Sequence, residues 1–399
     1  MVFLLFGGTF INAIDRASLS TAAPVLMSEL GLNKAQMGVA LSAFFWFYLL
    51  MNIPAGGLAD RHGAKRTLAW AAALWSICSA ATGLAKNLPQ LILARVGVGV
   101  GESASFPVNA KIVNNSFPAH QRGLAVSFYT AGLRLGFAVT PALMAVLIKR
   151  WGWRSAFFIS GLGSLAWVVL WWLTCVEPRP VETPAATASK KMSVVELLRN
   201  RTVIGLVLCK FFQDYLFYLF VTWLPGYLVL SRGFSLLQMG WYASLPWIAG
   251  CIAQPVAGWV SDRLIARGVS VTMSRKSIVI AMQLLAALVV VAGQVRDPMA
   301  AVWLLTLSVA CESAATSILW TACTDAAPAS AAGTMAGVMN SAGALAGILA
   351  PSVTGYLAES SGSFQLPLLV GSVMVLLAAA AMWFVVGELK PVSREPGPL

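Results

Sequence analysis

Val39-Ala-Leu-Ser-Ala-Phe-Phe-Trp-Phe-Tyr-Leu-Leu-Met-Asn-Ile-Pro-Ala-Gly-Gly-Leu-Ala-Asp60-Arg61-His62-Gly63-Ala64-Lys65-Arg66 decides the fold class. The stretch up to Ala59 carries no charge, and Asp60, Arg61, Lys65 and Arg66 follow at once. A run of about 20 apolar residues is the length a helix needs to cross hydrocarbon. In lipid every backbone polar group must be satisfied internally, which leaves helices or closed barrels. Barrel strands alternate at period two, and this run does not. It reads as a membrane-spanning helix ending in a charged loop.

The same pattern recurs along the chain. Spans are expected at 2–26, 36–58, 67–85, 89–112, 123–147, 153–174, 202–230, 236–260, 275–294, 299–324, 332–357 and 365–388. Composition agrees: 58% of the 399 residues are hydrophobic and 11% charged, against the roughly 25% charged usual in soluble domains. The expected class is an all-α membrane protein of twelve transmembrane helices. The first stretch lacks a basic n-region and carries Asp15 and Arg16 in its middle, so it reads as the first span and not as a secretory signal. It starts abruptly, and a short cytoplasmic lead is expected ahead of it.

Several function classes fall away. The formal charge of +12 could suggest nucleic acid, but the basic residues sit in loops flanking the spans, where positive-inside bias puts them. Cys78, Cys175, Cys209, Cys251, Cys311 and Cys323 are scattered through apolar stretches without CxxC spacing, which speaks against a disulfide framework or zinc site. His62 and His120 are expected in loops, leaving no metal cluster or histidine triad, and no GxSxG, P-loop or HExxH pattern occurs. Neither an enzyme nor a cofactor or metal is expected.

Basic residues also set the orientation. Loops after spans two, four, six and eight, with the C-terminal tail, hold 16 of the 27 Lys and Arg; the opposite loops hold seven. The rich side is expected to be cytoplasmic, with both termini inside a cell inner (plasma) membrane.

Residues 175–201 form the one long polar connection, Pro- and Thr-rich at its start. It then offers Ser193-Val-Val-Glu196, a capping-box pattern for a short surface helix. The expected organisation is a six-helix bundle over 1–174, a cytoplasmic linker over 175–201, and a second six-helix bundle with a short tail over 202–399. The halves resemble each other. Asp60-Arg61 has its echo 202 residues later in Gly258-Trp-Val-Ser-Asp262-Arg263. Tyr129-Thr-Ala-Gly132, Gly136 and Pro141 are echoed by Asn340-Ser-Ala-Gly343, Gly347 and Pro351. Small residues four apart let helices approach closely. Two parallel six-helix repeats are the plan of rocking transporters, whose site is expected at the midplane between them.

Gly56-Gly-Leu-Ala-Asp60-Arg61-His62-Gly63-Ala-Lys65-Arg66 resembles the loop 2–3 signature of the major facilitator superfamily. Asn12-Ala-Ile-Asp15-Arg16-Ala-Ser-Leu-Ser20, Ser42-Ala-Phe-Phe-Trp-Phe-Tyr48, the Arg95 to Glu102-Ser-Ala-Ser-Phe-Pro107 segment, Thr222-Trp-Leu-Pro225 and Asn340-Ser-Ala-Gly343 are similar to the anion:cation symporter family. Galactonate, hexuronate and glucarate transporters belong to that family. The resemblance implies proton symport of a small organic carboxylate by alternating access, with the transporter expected to function as a monomer in the bilayer.

Charges inside spans cost roughly 2.5–3.5 kcal/mol each on insertion scales, so they pair or face a cavity. Span one carries Asp15 and Arg16; span four carries Arg95 and Glu102, seven apart on one helix face and so about 10 Å apart along it. Structural ion pairs between the two helices are one reading. The resemblance implies another: Arg16 as the carboxylate-binding group, Asp15 and Glu102 as proton sites, and Arg95 as their counter-ion. A guanidinium suits the first role because its planar fork binds a carboxylate at two points. Tyr48, Ser317, Trp320 and Asn340 match positions lining the family's sugar-acid pocket. Interhelical packing for Tyr48 and Trp320, and a helix–helix hydrogen bond for Asn340, stay open.

The chain departs from the family pattern in ways that bear on substrate. Ala13, Leu133 and Ala344 stand where sugar-acid members tend to carry Tyr, Gln and Asn, so three hydroxyl-reading groups are missing. Arg134 adds an intramembrane cation, for a second anionic group or for packing and snorkelling. The expected substrate is poorer in hydroxyls than an aldonate or richer in charge. Lys210 and Asp214, four apart, are expected to pair along span seven. Glu312, eight residues before Trp320, is a candidate for the same cavity. Asp60, Arg61 and Lys65, with Asp262 and Arg263 in the second half, are expected to make cytoplasmic gate contacts. Two other readings remain: an efflux antiporter of amphipathic compounds on the same fold, and a non-transporting membrane sensor. The spacing between Gly136 and Pro141 speaks against the first, and the intramembrane charges against the second.

Overall fold

The computed structural model describes residues 1–117, 119–176, 192–327 and 331–391. Every regular element among them is helical: α1 (Val2–Leu30), α2 (Lys34–His62), α3 (Ala64–Thr82), α4 (Leu88–Glu102), α5 (Ser105–Ser116), α6 (Ala119–Thr174), α7 (Val194–Leu198), α8 (Arg201–Leu230), α9 (Leu236–Ala266), α10 (Val271–Ala286), α11 (Val289–Ala292), α12 (Pro298–Ala326), α13 (Ala332–Ser360) and α14 (Gln365–Ala380), the last running into a π-helical turn, Ala381–Val385.

Twelve membrane passes follow from these elements. Among the described residues nine helical stretches are long and apolar enough to span by composition alone, and one of them, Ala125–Thr174, is long enough for two. It divides at Gly152, whose φ of 78° reverses the chain between the expected fifth and sixth spans. Only glycine adopts that conformation without a Cβ penalty. The other two passes are α3, which opens on Lys65 and Arg66, and α9, which carries Gln238, Gln254, Asp262 and Arg263.

Several helices outrun the expected spans. α1 continues to Leu30 and α2 to His62, because backbone hydrogen bonding does not stop where the apolar run stops. His62 is thus the last residue of α2, and His120 lies in the first turn of α6, where loops were expected. The fourth pass breaks at Ser103-Ala104, directly after Glu102, and resumes as α5. Asn52 Nδ2 donates to the Ser103 carbonyl at 3.4 Å, serving a group the break leaves exposed. The capping box forms as expected: Ser193 Oγ accepts from the Glu196 N–H at 3.2 Å, and Glu196 Oε2 from the Ser193 N–H at 2.7 Å. The Pro- and Thr-rich start of the linker, 177–191, lies outside the described residues, as does 392–399 of the tail.

Contacts group the chain into two compact units: Met1–Glu182 with Leu219–Ile248 and Ile348–Phe364, and Thr183–Tyr218 with Ala249–Gly347 and Gln365–Leu399. In the first unit α1 packs along α6. A Cβ on Gly136 would stand 2.5 Å from Ala13 Cβ and 2.6 Å from the Phe10 carbonyl, so only a glycine lets these backbones meet. The same unit ties the start of α2 to the end of α13. Lys34 Nζ donates to the Ala358 carbonyl at 3.2 Å, Ser352 Oγ to Ser42 Oγ at 2.9 Å, and Trp223 Nε1 on α8 to the Pro351 carbonyl at 2.9 Å. In the second unit α12 packs on α10, with Leu319, Ala322, Met335, Met339 and Met382 fully buried around it.

Candidate functional site

The sequence puts Asp15 and Arg16 in the middle of α1, where adjacent side chains must point in different directions. Arg16 turns toward α4 and gives Nη2 and Nε to Glu102 Oε2 at 2.9 and 3.2 Å. Arg16 is 8% exposed and Glu102 fully buried. Asp15 turns the other way and ends on hydroxyls: Ser79 Oγ of α3 donates to Oδ1 at 2.6 Å and Ser164 Oγ of α6 to Oδ2 at 2.7 Å. Hydrogen bonds from neutral donors partly offset the cost of burying that carboxyl.

Arg95 takes neither carboxylate as a direct partner within hydrogen-bond distance. Its Nη1 donates to the Asp15 carbonyl at 3.2 Å and its Nη2 to the Arg16 carbonyl at 3.4 Å, so it binds the α1 backbone. Both guanidiniums lie over one aromatic ring. Arg16 is 4.7 Å and Arg95 5.4 Å from the Phe44 centroid, and Tyr48, stacked on Phe44, stands 5.2 Å from Arg16. Cation–π contact strengthens when the cation is desolvated, as here. The first unit thus gathers Asp15 and Arg16 of α1, Tyr48 of α2, and Arg95 and Glu102 of α4 into one cluster. Arg134 lies half-buried on α6, two residues before the Gly136 contact with α1.

The second unit holds its own buried charges. Lys210 Nζ reaches both Asp214 oxygens at 2.6 Å along α8, the expected four-residue pair. Gly343 of α13 presses on it, since a Cβ there would clash with Asp214 Oδ2. Trp320 is half-buried, with Lys210 Nζ 5.5 Å from its centroid. Ser317 donates to the Ala314 carbonyl at 2.9 Å, and Asn340 is exposed on α13. Glu312 accepts from Thr316 Oγ1 at 2.6 Å. Thr316 accepts from Gln213 Nε2 at 2.6 Å, and Gln213 from Gln283 Nε2 at 2.6 Å. Glu312 was a sequence candidate, but the uncharged groups behind it, Thr316, Gln213 and Gln283, escaped the sequence reading. Ser, Thr and Gln are common on helices, and periodicity does not tell which of them meet.

At the charged ends Asp60 pairs with Lys111 at 2.7 Å, while Arg61 is exposed and Lys65 lies 5.5 Å over Trp172. In the second unit Asp262 meets Arg275 at 3.3 Å and Asp325 meets the same guanidinium at 3.2 Å; Arg263 rests over Trp259. Lys111, Arg275 and Asp325 were not singled out by sequence, although all three sit at expected span ends rich in charge. Among the described residues no cluster of His, Cys, Asp and Glu could hold a metal.

The family model of the Major Facilitator Superfamily matches residues 5–351. The D-galactonate transporter of Escherichia coli O6:H1 is 31% identical over 413 residues, covering 98% of this chain and 96% of the relative. A protein of Cupriavidus necator named as a probable sulfoacetate transporter is 31% identical over 395 residues, with 94% and 91% covered. Among solved structures a D-xylose-proton symporter superposes with a TM-score of 0.82 over 98% of each chain, at 17% identity, which speaks for the fold alone. Twelve transmembrane helices in two six-helix halves, the full-length match and the transporter relatives agree. The chain is a transporter and not an enzyme, a multi-pass membrane protein that belongs to the Major Facilitator Superfamily.

Proposed function

We propose that the protein imports a small organic carboxylate together with protons, by alternating access, across the cell inner membrane with both termini cytoplasmic. The observation that carries this reading is the Arg16–Glu102 pair, buried between α1 and α4 and bonded through one carboxylate oxygen. A substrate carboxylate and Glu102 compete for the same guanidinium. When Glu102 takes a proton its hold on Arg16 weakens, and the fork becomes free for the substrate anion. Binding of anion and proton are then linked. Asp15, held by two hydroxyls, is the second proton site, and Arg95 keeps the α1 backbone in place between them. Tyr48, Arg134, Ser317, Trp320 and Asn340 contribute the remaining substrate contacts. Asp60, Arg61, Lys65, Asp262 and Arg263 stabilise gate states at the cytoplasmic ends. Residues 1–174 and 202–399 serve as the two moving halves joined by 175–201, and one chain suffices for transport.

The substrate is poor in hydroxyls or carries a second anionic group. Ala13, Leu133 and Ala344 offer no hydroxyl-reading atoms, and Arg134 adds positive charge. A relative named as a probable sulfoacetate transporter supports a small substrate with a second anionic group. The test is uptake into proteoliposomes of sugar acids, dicarboxylates, sulfonates and monocarboxylates. Preference for galactonate over dicarboxylates and simple acids overturns the substrate class. With one proton a monoanion moves without net charge; with two, each cycle gains about 2.3 kcal/mol per 100 mV.

A further inference from the structure

Helix chemistry alone does not favour the way α8 arranges its two buried charges. Asp214 stands near the middle of α8 (Arg201–Leu230), and Lys210 lies one turn before it. Helical side chains lean toward the N-terminus, and a lysine in a span extends toward the nearer interface where it can. Lys210 does the opposite: its Nζ reaches forward to both Asp214 oxygens at 2.6 Å. The order is also the weaker one, since an acid placed before the lysine makes the better four-residue pair. The result is an ammonium turned toward mid-helix, with Lys210 6% and Asp214 4% exposed.

Two other helices of the same unit close around this pair. Lys210 Nζ lies 5.5 Å from the ring centroid of Trp320 on α12, one turn after Ser317. Gly343 of α13 stands against Asp214, with its built Cβ 3.7 Å from Lys210 Cε, and Asn340 is exposed one turn earlier. Ser317, Trp320 and Asn340 are the second unit's substrate contacts in the reading above, and none of them is charged. Lys210 is the cation in their midst. An ammonium has three protons to donate and Asp214 takes two of them. Among the described residues no further acceptor lies within hydrogen-bond distance of Nζ.

We infer that Lys210 holds the second anionic group of the substrate, the group that Arg16 does not hold, and that Asp214 is its internal competitor. The inference rests on the substrate reading above and names the residue that enforces it. The incoming group meets the ammonium through its third proton and competes with Asp214 for the other two, as the first carboxylate competes with Glu102 for Arg16. A compact ammonium with rotatable donors accepts a tetrahedral sulfonate as readily as a planar carboxylate. Lys210 therefore selects for charge and not for a hydroxyl pattern.

The experiment measures uptake into proteoliposomes of succinate, of sulfoacetate, and of succinamate, which keeps the succinate skeleton but replaces one carboxylate by an uncharged amide. KM is read for each at a pH where both succinate carboxyls are ionised. Wild type should prefer succinate to succinamate, and Lys210→Gln should reduce that KM ratio about tenfold, the worth of one hydrogen bond to a charged group. Lys210→Arg keeps a cation and should keep the direction of the preference. Asp214→Asn removes the competitor and should lower the succinate KM. A ratio unchanged in Lys210→Gln, even with both uptakes reduced, overturns the assignment to Lys210 and leaves Arg134 as the selecting cation. A succinate KM that rises in Asp214→Asn overturns the competition. If Lys210→Gln fails to fold because it strands Asp214, the double variant Lys210→Gln with Asp214→Asn removes both charges and carries the same test of the ratio. A wild type that favours succinamate, or takes up neither succinate nor sulfoacetate, overturns instead the second-anion reading on which this one rests.

Discussion

Arg16 and Glu102 meet through one carboxylate oxygen, with Nη2 at 2.9 Å and Nε at 3.2 Å from Oε2, in a site where the acid is fully buried. Breaking such a pair from one side leaves an uncompensated charge, at a cost of about 3–5 kcal/mol. The first expectation follows. Arg16→Ala should abolish uptake and lower the unfolding temperature in detergent, while Glu102→Gln in the same chain should recover most of that temperature without recovering uptake. Additive losses in the double variant would mean the two side chains do not interact as described.

Glu102→Gln alone removes the titrating group and keeps an oxygen for Arg16. Gradient-driven uptake should fall at least about tenfold, while counterflow at equal pH survives within a few fold. Equal loss of both rates would assign Glu102 to substrate binding and not to proton coupling.

Gly343 lies against Asp214 so closely that a Cβ would clash with Oδ2. Gly343→Ala should therefore destabilise the protein by about 1–3 kcal/mol, the usual cost of overpacking. Gly337, on the same helix with nothing within 4 Å of its built Cβ, is the control, and Gly337→Ala should be neutral or gain up to about 1 kcal/mol. Thermal unfolding of the two variants decides; a loss in Gly337→Ala as large as in Gly343→Ala would contradict the packing described.

The sequence reading went far on the fold and less far on the site. Hydropathy alone located spans such as 153–174, which α6 ends on, because lipid demands a long apolar run. It placed the helix ends short, since α2 and α9 carry polar last turns that hydropathy discounts. Intramembrane charges announced themselves by rarity, and Lys210 met Asp214 as spacing required. Their partners across helices did not. Ser79 and Ser164 look like any helix serine, and Ser164 also donates to its own Ser160 carbonyl at 3.0 Å, the local bond that makes serines uninformative in sequence. Only tertiary packing brings them to Asp15.

Arg275 is buried at 8% exposure and holds both Asp262 and Asp325, so it ties α9, α10 and α12 at their charged ends. Arg275→Met keeps the apolar stem and removes both bridges. If these bridges stabilise one gate state, the maximal uptake rate should change severalfold with little change in KM. A change confined to KM would place Arg275 with substrate binding instead.

The central claim is that anion binding and proton binding are linked through Arg16. Uptake of the preferred organic anion into proteoliposomes, with and without an inside-alkaline pH gradient, tests it most directly. The account predicts accumulation above the outside concentration only with the gradient, collapse of that accumulation on adding a protonophore, and neither in Arg16→Ala. Uptake that is unchanged when the gradient is abolished would contradict it.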